Sequence, residues 1–438
     1  MAQTLEMFKL KRHPTAGFLP NIDNGASPGR IRAHEIALLR GLAEEVAAIA
    51  AEEQNRSRRE CWYAHTALKS GRPLVLVFPE DAWFEMLPPE ELQVSDPFWR
   101  QWEWYLRHLI YRHANIHDDF VVEPEIACAM VSRNTGWGIE AEYSKTTAGG
   151  SYIWRAPIKE ESDFDKLRYP QIEPDTAATE ERLAALNEVF GDLVPVRAQC
   201  LMNLGGGVVA TAAVLRGMEQ IMLDMYDRPE WLHTLLQFIT DAYLRIMEYY
   251  ETNNLLTLNN RNHYTDSGGI GYTRELPAPD FDGSHVRLRD LWGASAAQEY
   301  SEVSPDMHEE FGLNYQVQLL DKFGLVAYGC CEPYTRKFDM VKRIPRLRRV
   351  SVSPWCDVAA AAEHLEDKYI YSWKPNPAYL AGGYDEEVIR KYIRSMLEAS
   401  RGCVVEMILK DTYTIENDPK RITRWTEIAQ EEIARIYD

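Results

Sequence analysis

No apolar run in this chain reaches the length of a membrane span. The start, Met1-Ala2-Gln3-Thr4-Leu5-Glu6, lacks the basic segment and apolar stretch of a secretory signal. Cysteine is sparse and odd in number: seven residues, at 61, 128, 200, 330, 331, 356 and 403, too dispersed for a disulfide framework. Positive charge is in deficit, and a net charge of −19 argues against nucleic acid and against an anionic membrane surface. The glycines never take the G-x-G-x-x-G spacing of a dinucleotide fingerprint. Gly205-Gly206-Gly207 reads instead as a tight turn close to a ligand or a neighbouring strand. Internal repeats and low-complexity tracts are absent. These absences lead to an expectation of a cytoplasmic protein with reduced thiols that acts on a small molecule.

What is present is alternation. Residues 1–30, with Pro14, Pro20, Gly25 and Pro28, read as an arm. Ile31, Leu38, Leu42, Val46 and Ile49 then mark an amphipathic helix that ends in the polar run 52–59. The first buried strand is Leu74-Val75-Leu76-Val77-Phe78, and 98–113 reads as a helix. Strand-like segments follow at 120–122, 194–202, 255–258, 286–293, 325–329, 349–353, 369–373 and 404–408, with a basic helix-like stretch at 337–349. Helices at 358–365 and 386–399 separate the last of them. Strands alternating with helices in this way predict a single (β/α)8 TIM-type barrel. Residues 1–70 form an N-terminal arm and helical extension, and 71–438 the barrel, interrupted by an excursion at about 133–195.

In such a barrel, chemistry sits where strands end. Tyr328-Gly329-Cys330-Cys331-Glu332-Pro333 follows the strand at 325 and places two thiols and a carboxylate there, donors that suit zinc. His263 and Asp411, from other strand ends, could complete the set. The competing reading is a pair of packed cysteines, a cap carboxylate and a loop histidine. Polar residues after other strands include Glu80, Asp81, Asn259, Asp290, Ser353, Asp357, Asn376 and Lys410. Glu123-Pro124-Glu125 offers a carboxylate pair of the kind that raises one pKa. Lys374, stemmed by Trp373 and Pro375, is the expected anion contact, with Asn203, Asn260, Trp292 and Glu125 as further substrate contacts. His263, Glu332 and Tyr328 are the expected catalytic residues.

The order of Gln298-Glu299-Tyr300-Ser301-Glu302-Val303-Ser304-Pro305, Tyr328 to Glu332, Val350 to Asp357, Lys374-Pro375-Asn376-Pro377 and Thr414-Ile415-Glu416-Asn417 resembles the uroporphyrinogen decarboxylase superfamily. The resemblance spans roughly residues 70 to 435 and lies nearer the branch of cobalamin-linked methyltransferases that methylate coenzyme M. It implies a barrel, a homodimer, zinc, and a corrinoid cofactor carried by a partner protein or bound freely. It implies methyl transfer between a small methylated substrate and that corrinoid. Two departures stand out. The Arg-Gln-Ala-Gly-Arg-Tyr segment of true uroporphyrinogen decarboxylases is missing. The branch's His-x-Cys pair reads Tyr328-Gly329-Cys330 here, and its last thiol is replaced by Leu409-Lys410-Asp411. Of the branch's three zinc ligands only Cys330 carries over, so Cys331, Glu332, His263 or Asp411 must supply the rest. Two other expectations stay open: a metal-independent decarboxylase or lyase for a small acid, with a basic mouth and buried thiols, and a binding protein without a convergent acid/base pair.

Overall fold

Near-continuous apolar runs need cover on both faces, and parallel strands with helical crossovers supply it. The computed structural model describes residues 26–69, 71–143, 154–200, 202, 207–265, 267 and 269–437, together with the backbone of 12–13 and 17–18. Among these residues eight strands run parallel: β1 (Leu74–Val77), β2 (Ile126–Ala129), β3 (Val196–Gln199), β4 (Trp292–Ser295), β5 (Leu325–Tyr328), β6 (Leu347–Val352), β7 (Ile370–Trp373) and β8 (Val404–Leu409). Six form one ladder in the order β4-β5-β6-β7-β8-β1, while β2 and β3 pair separately. The order never reverses, and the last strand pairs with the first. The described strands thus form a mixed α/β fold around a six-stranded parallel sheet, without the switch point of a doubly wound sheet.

The six-stranded ladder and the β2–β3 pair are not joined into one sheet in the described residues. Backbone and side-chain bonds cross the gaps instead. Asp119 N donates to Val75 O at 2.8 Å between β1 and the chain entering β2. Between β3 and β4, Thr257 Oγ1 accepts from Gln199 Nε2 at 2.6 Å and from Cys200 N at 3.0 Å, and Asn259 Oδ1 accepts from Trp292 N at 2.9 Å. The segment 255–258, expected as a strand, is therefore irregular: a threonine and an asparagine side chain take the ladder's bonds.

Two other expectations shift. The first helix does end at the polar run 52–59, but the run itself opens a second helix. Glu52 breaks the chain at ψ 147° between α1 (Ala33–Ala51) and α2 (Glu53–Thr66). Glu, Gln and Arg are good helix formers, and buried Trp62, His65 and Thr66 anchor the second helix. The basic stretch at 337–349 is helical only over Phe338–Val341, because Pro345 disfavours helix at the residue before it and Leu347 already opens β6. α3 (Pro97–Asn115) starts at Asp96, which accepts from Trp99 N at 3.2 Å, with proline at the first helical position. The excursion carries two short antiparallel pairs, Ser132–Asn134 with Ile172–Pro174 and Glu142–Tyr143 with Trp154–Arg155, before α4 (Thr176–Phe190). α5 (Pro229–Thr252), α6 (Val358–Leu365), α7 (Glu386–Ala399) and α8 (Lys420–Tyr437) complete the helices used below. No helix of the described residues is long and apolar enough to cross a membrane.

Register places the site. Tyr328 pairs with Val350, Val352 with Trp373, Trp373 with Met407, and Leu409 with Val77. The residues that follow β1, β5, β6, β7 and β8 therefore meet at one rim.

Candidate active site

β5 ends at Tyr328, and Gly329 turns the chain at φ +102°, where a side chain would drive into Tyr334 at 2.5 Å. The turn presents both thiols together: Cys330 Sγ and Cys331 Sγ lie 3.6 Å apart, with Cys330 half-buried and Cys331 exposed. The Cys331 thiol is pushed up, first by its hydrogen bond with Cys330 and then by burial. Ser351 Oγ donates to Cys330 O at 2.9 Å and fixes the turn to β6.

Four charged residues from three neighbouring strand ends share this rim. Lys410, directly after β8, brings its Nζ to 3.9 Å from Cys330 Sγ, 3.4 Å from Ser267 Oγ and 3.6 Å from Asp411 Oδ1. Burial opposes its charge, but Tyr264, Cys330, Asp411 and Glu80 outweigh that and hold the ammonium protonated. Glu80, after β1, is only 2% exposed, and burial together with Asp411 lifts its carboxyl to about 7. Glu80 and Asp411 both adopt left-handed backbone, at φ +51° and +58°. Non-glycine residues in that conformation hold about 1–3 kcal/mol of strain each and cluster at functional sites. Lys374, after β7, is buried, and its Nζ donates to Ser372 Oγ at 2.6 Å and to Ser372 O at 3.0 Å. Burial, aided by Lys410 and Arg349, lowers this ammonium to about 7. Below it lies a cavity barely large enough for one water, lined by Thr265, Ser267, Arg349, Ser351, Ser372 and Lys374.

Deeper among the strands, charges pair off. Arg349 Nε is 2.8 Å from Glu406 Oε1, Arg349 Nη1 donates to Thr265 Oγ1 at 2.5 Å, and the guanidinium lies over the Trp292 ring. His65 of α2 approaches Glu406 Oε2 at 3.2 Å, and Ser372 Oγ donates to Glu406 Oε1 at 2.5 Å. The segment around 259–273 reaches this network. Trp292 Nε1 donates to Gly271 O at 2.9 Å, and a side chain at Gly269 would meet Arg349 and Glu406.

The expected site residues divide. Cys330, Cys331, Asp411 and Lys374 come to the rim. Glu332 is fully buried: its carboxylate accepts from Cys330 N at 2.9 Å, from Ala297 N at 2.8 Å and from the Tyr334 hydroxyl, so it locks the turn. Tyr328 points to the helical layer, where its hydroxyl donates to Gln316 Oε1 at 2.7 Å and lies 3.4 Å from His308 Nε2. His263 Nε2 is 3.3 Å from Gln199 Oε1, and burial beside Arg197 and Arg261 lowers the imidazole to about 3, which leaves it neutral. Asn260 Nδ2 donates to Leu276 O at 2.7 Å and pins a loop. Trp292 and Asp290 do not follow a strand: Trp292 opens β4 and Asp290 precedes it. Glu125 precedes β2 and is paired with Arg197 at 2.5 Å, because the strand begins only after Pro124. Asp357 caps α6. Asn203 lies outside the described residues.

A zinc set does not assemble from these donors. Glu332 has its oxygens engaged by backbone and phenol, His263 is bonded to Gln199, and among the described residues no three His, Cys, Asp or Glu side chains are grouped to hold a metal ion. Lys410 and Glu80 were visible in the sequence only as polar residues after strands. Their role comes from the register of β8 with β1 and from the turn at Gly329.

No protein-family description matches this chain, and no curated protein matches it. Among solved structures, a methyltransferase from Methanosarcina mazei is similar over 85% of this chain and 98% of its own, with 12% identity and a TM-score of 0.47.

Proposed function

We propose that this chain is a group-transfer enzyme of the methyltransferase kind, acting on a small molecule at the strand-end rim with Cys330 as its reactive thiol. The observation that carries the reading is the approach of Lys410 Nζ to Cys330 Sγ at 3.9 Å. The thiolate is the nucleophilic form of cysteine, and an adjacent ammonium favours it. In the step proposed, the Cys330 sulfur forms a bond to the methyl carbon as the bond to the donor atom breaks, and the electron pair leaves with the donor. In the second step Glu80, poised near neutral pH, takes the proton from an acceptor thiol, the acceptor sulfur bonds the methyl carbon, and the Cys330 S–C bond breaks with its electron pair returning to the Cys330 thiolate beside Lys410. Lys374 and Lys410 receive an anionic part of the substrate.

A methylated corrinoid on a partner protein is the donor in this proposal, and it supplies an electrophilic methyl group when bound. The fit is that Trp355 and Tyr413, 70% and 59% exposed, stand on the segments after β6 and β8 and offer exposed aromatic rings to a flat macrocycle. Zinc takes no part, since the donors do not fit it.

The test is transfer from methylcobalamin to mercaptoacetate, followed by the loss of methylcobalamin absorbance and by mass spectrometry of the thioether. Wild type should exceed the uncatalysed rate, and Cys330→Ser should fall roughly a hundredfold, about 2.7 kcal/mol in barrier. Equal rates in the two proteins would sink the role of the thiol.

One observation favours a second reading. The fully buried amine of Lys374, at about 7 beside Ser372, could hold a carboxylate during decarboxylation. In that case Lys374→Met abolishes turnover of a small acid while Cys330→Ser leaves it intact. The exposure of Cys331 speaks against the buried thiols this reading expects.

A further inference from the structure

The two sulfurs at the rim form a site with a selectivity of its own. Cys330 Sγ and Cys331 Sγ are in contact at 3.6 Å, on a turn held by Gly329, by Glu332 accepting from Cys330 N, and by Ser351 donating to Cys330 O. Cys331 is open to solvent and Lys410 stands over Cys330. Sequence-adjacent cysteines that both reach one rim are a chelating dithiol without further movement of the chain.

What such a pair can hold depends on how many ligands a centre requires. Zinc wants three or four from the protein, and the described residues do not group that many. Linear, two-coordinate mercury needs its sulfurs on opposite sides of the metal, and these two lie side by side. A pyramidal trivalent arsenic that already carries one organic group needs two sulfurs, adjacent and soft. We propose that Cys330 and Cys331 form a binding site for monosubstituted trivalent arsenicals.

The chemistry balances. The hydrated arsenical R–As(OH)2 and two thiols give R–As(S–Cys)2 and two waters. Each sulfur forms one bond to arsenic, each As–O bond breaks, and each thiol proton leaves with a hydroxyl. Arsenic stays trivalent, so no oxidant or reductant is required. Lys410 assists by stabilising the thiolate that attacks first, and the second sulfur closes the ring through the Cys330–Cys331 peptide.

The site goes beyond methyl transfer and does not rest on it. The experiment titrates the reduced full-length protein with phenylarsine oxide and reads native mass and free-thiol count. Expected are one adduct per chain, a loss of two of the seven thiols, and release by dithiothreitol. Cys330→Ala and Cys331→Ala should each weaken binding roughly a hundredfold or more, since joining two binding groups commonly gains that much. Cys331 is exposed, so its variant is expected to fold, and circular dichroism checks both. No adduct on wild type, or an adduct of undiminished affinity on folded Cys331→Ala, would overturn the proposal. Because mass rather than turnover is read, a failed transfer assay leaves this result standing, and a missing adduct leaves the transfer reading untouched.

Discussion

Replacing Glu80 by glutamine is expected to slow the reaction at least about a hundredfold while making the protein more stable above pH 7. Both effects have one cause. Glu80 is almost wholly buried at the end of β1, and burial with the nearby Asp411 lifts its carboxyl to about 7. Folding therefore favours the protonated form. That advantage is present at low pH and is withdrawn as the pH rises from the ordinary glutamate range through 7, because the folded protein must then hold a buried charge. The penalty above pH 7 is about 3 kcal/mol, at about 1.4 kcal/mol for each tenfold change in proton affinity. Glutamine is neutral at every pH and escapes it. Urea unfolding at pH 5 should find the two proteins similar, and at pH 8.5 should find Glu80→Gln the more stable. Wild-type turnover should rise through pH 7 as the base ionises, and that limb should vanish in the variant. A variant equally active and with an unchanged limb would remove Glu80 from the chemistry.

Arg349→Met should destabilise the fold by about 3–5 kcal/mol, since it strands a buried partner charge. Burial alone would push the Glu406 carboxyl up, yet Arg349, then His65 and Lys374, hold it well below the usual carboxylate range. A depressed carboxyl contributes stability above its unfolded pKa and loses it as the pH falls through the folded one. Without Arg349 the balance reverses, and Glu406 takes up a proton at much higher pH. The loss should thus be greatest near neutrality and smaller at pH 4. Glu406→Gln added to Arg349→Met should recover much of it, because the stranded charge is gone. Chemical unfolding of the single and double variants at both pH values reads this directly. A loss under about 1 kcal/mol at pH 7 would mean that water or rearrangement relieves Glu406.

Much of the fold was legible because strands and helices alternate with distinct periods. α6 and α7 lie at the residues expected, and β5 to β8 differ from expectation by two residues or fewer. Segments stabilised by side chains were not legible. Leu255-Leu256-Thr257-Leu258 looks like a strand, yet Thr257 bonds to β3 through its hydroxyl. Glu125 and Trp292 were read as following strands because apolar residues precede them, whereas the hydrogen-bonded strands begin just after Glu125 and at Trp292. In the site, strand-end position alone picked out Cys330 and Lys374. Glu332 carries the right chemistry for a ligand, but three donors occupy it in the turn, and no spacing rule reports that. The Arg349–Glu406 pair joins two strand interiors separated by β7 in the ladder, so only the strand order and register bring it together.

The rate of Cys330 alkylation by iodoacetamide against pH, mapped by mass spectrometry in wild type and Lys410→Met, tests the pairing most directly. Two unit charges about 4 Å apart attract by about 1 kcal/mol in water and about 4 kcal/mol near a protein surface. For a half-buried thiol the midpoint should therefore move up by about one to two pH units when the ammonium is removed. Cys330 in the wild type should also react well ahead of Cys403. Coincident midpoints in the two proteins, or a Cys330 no faster than Cys403, would contradict an activated thiol at this rim.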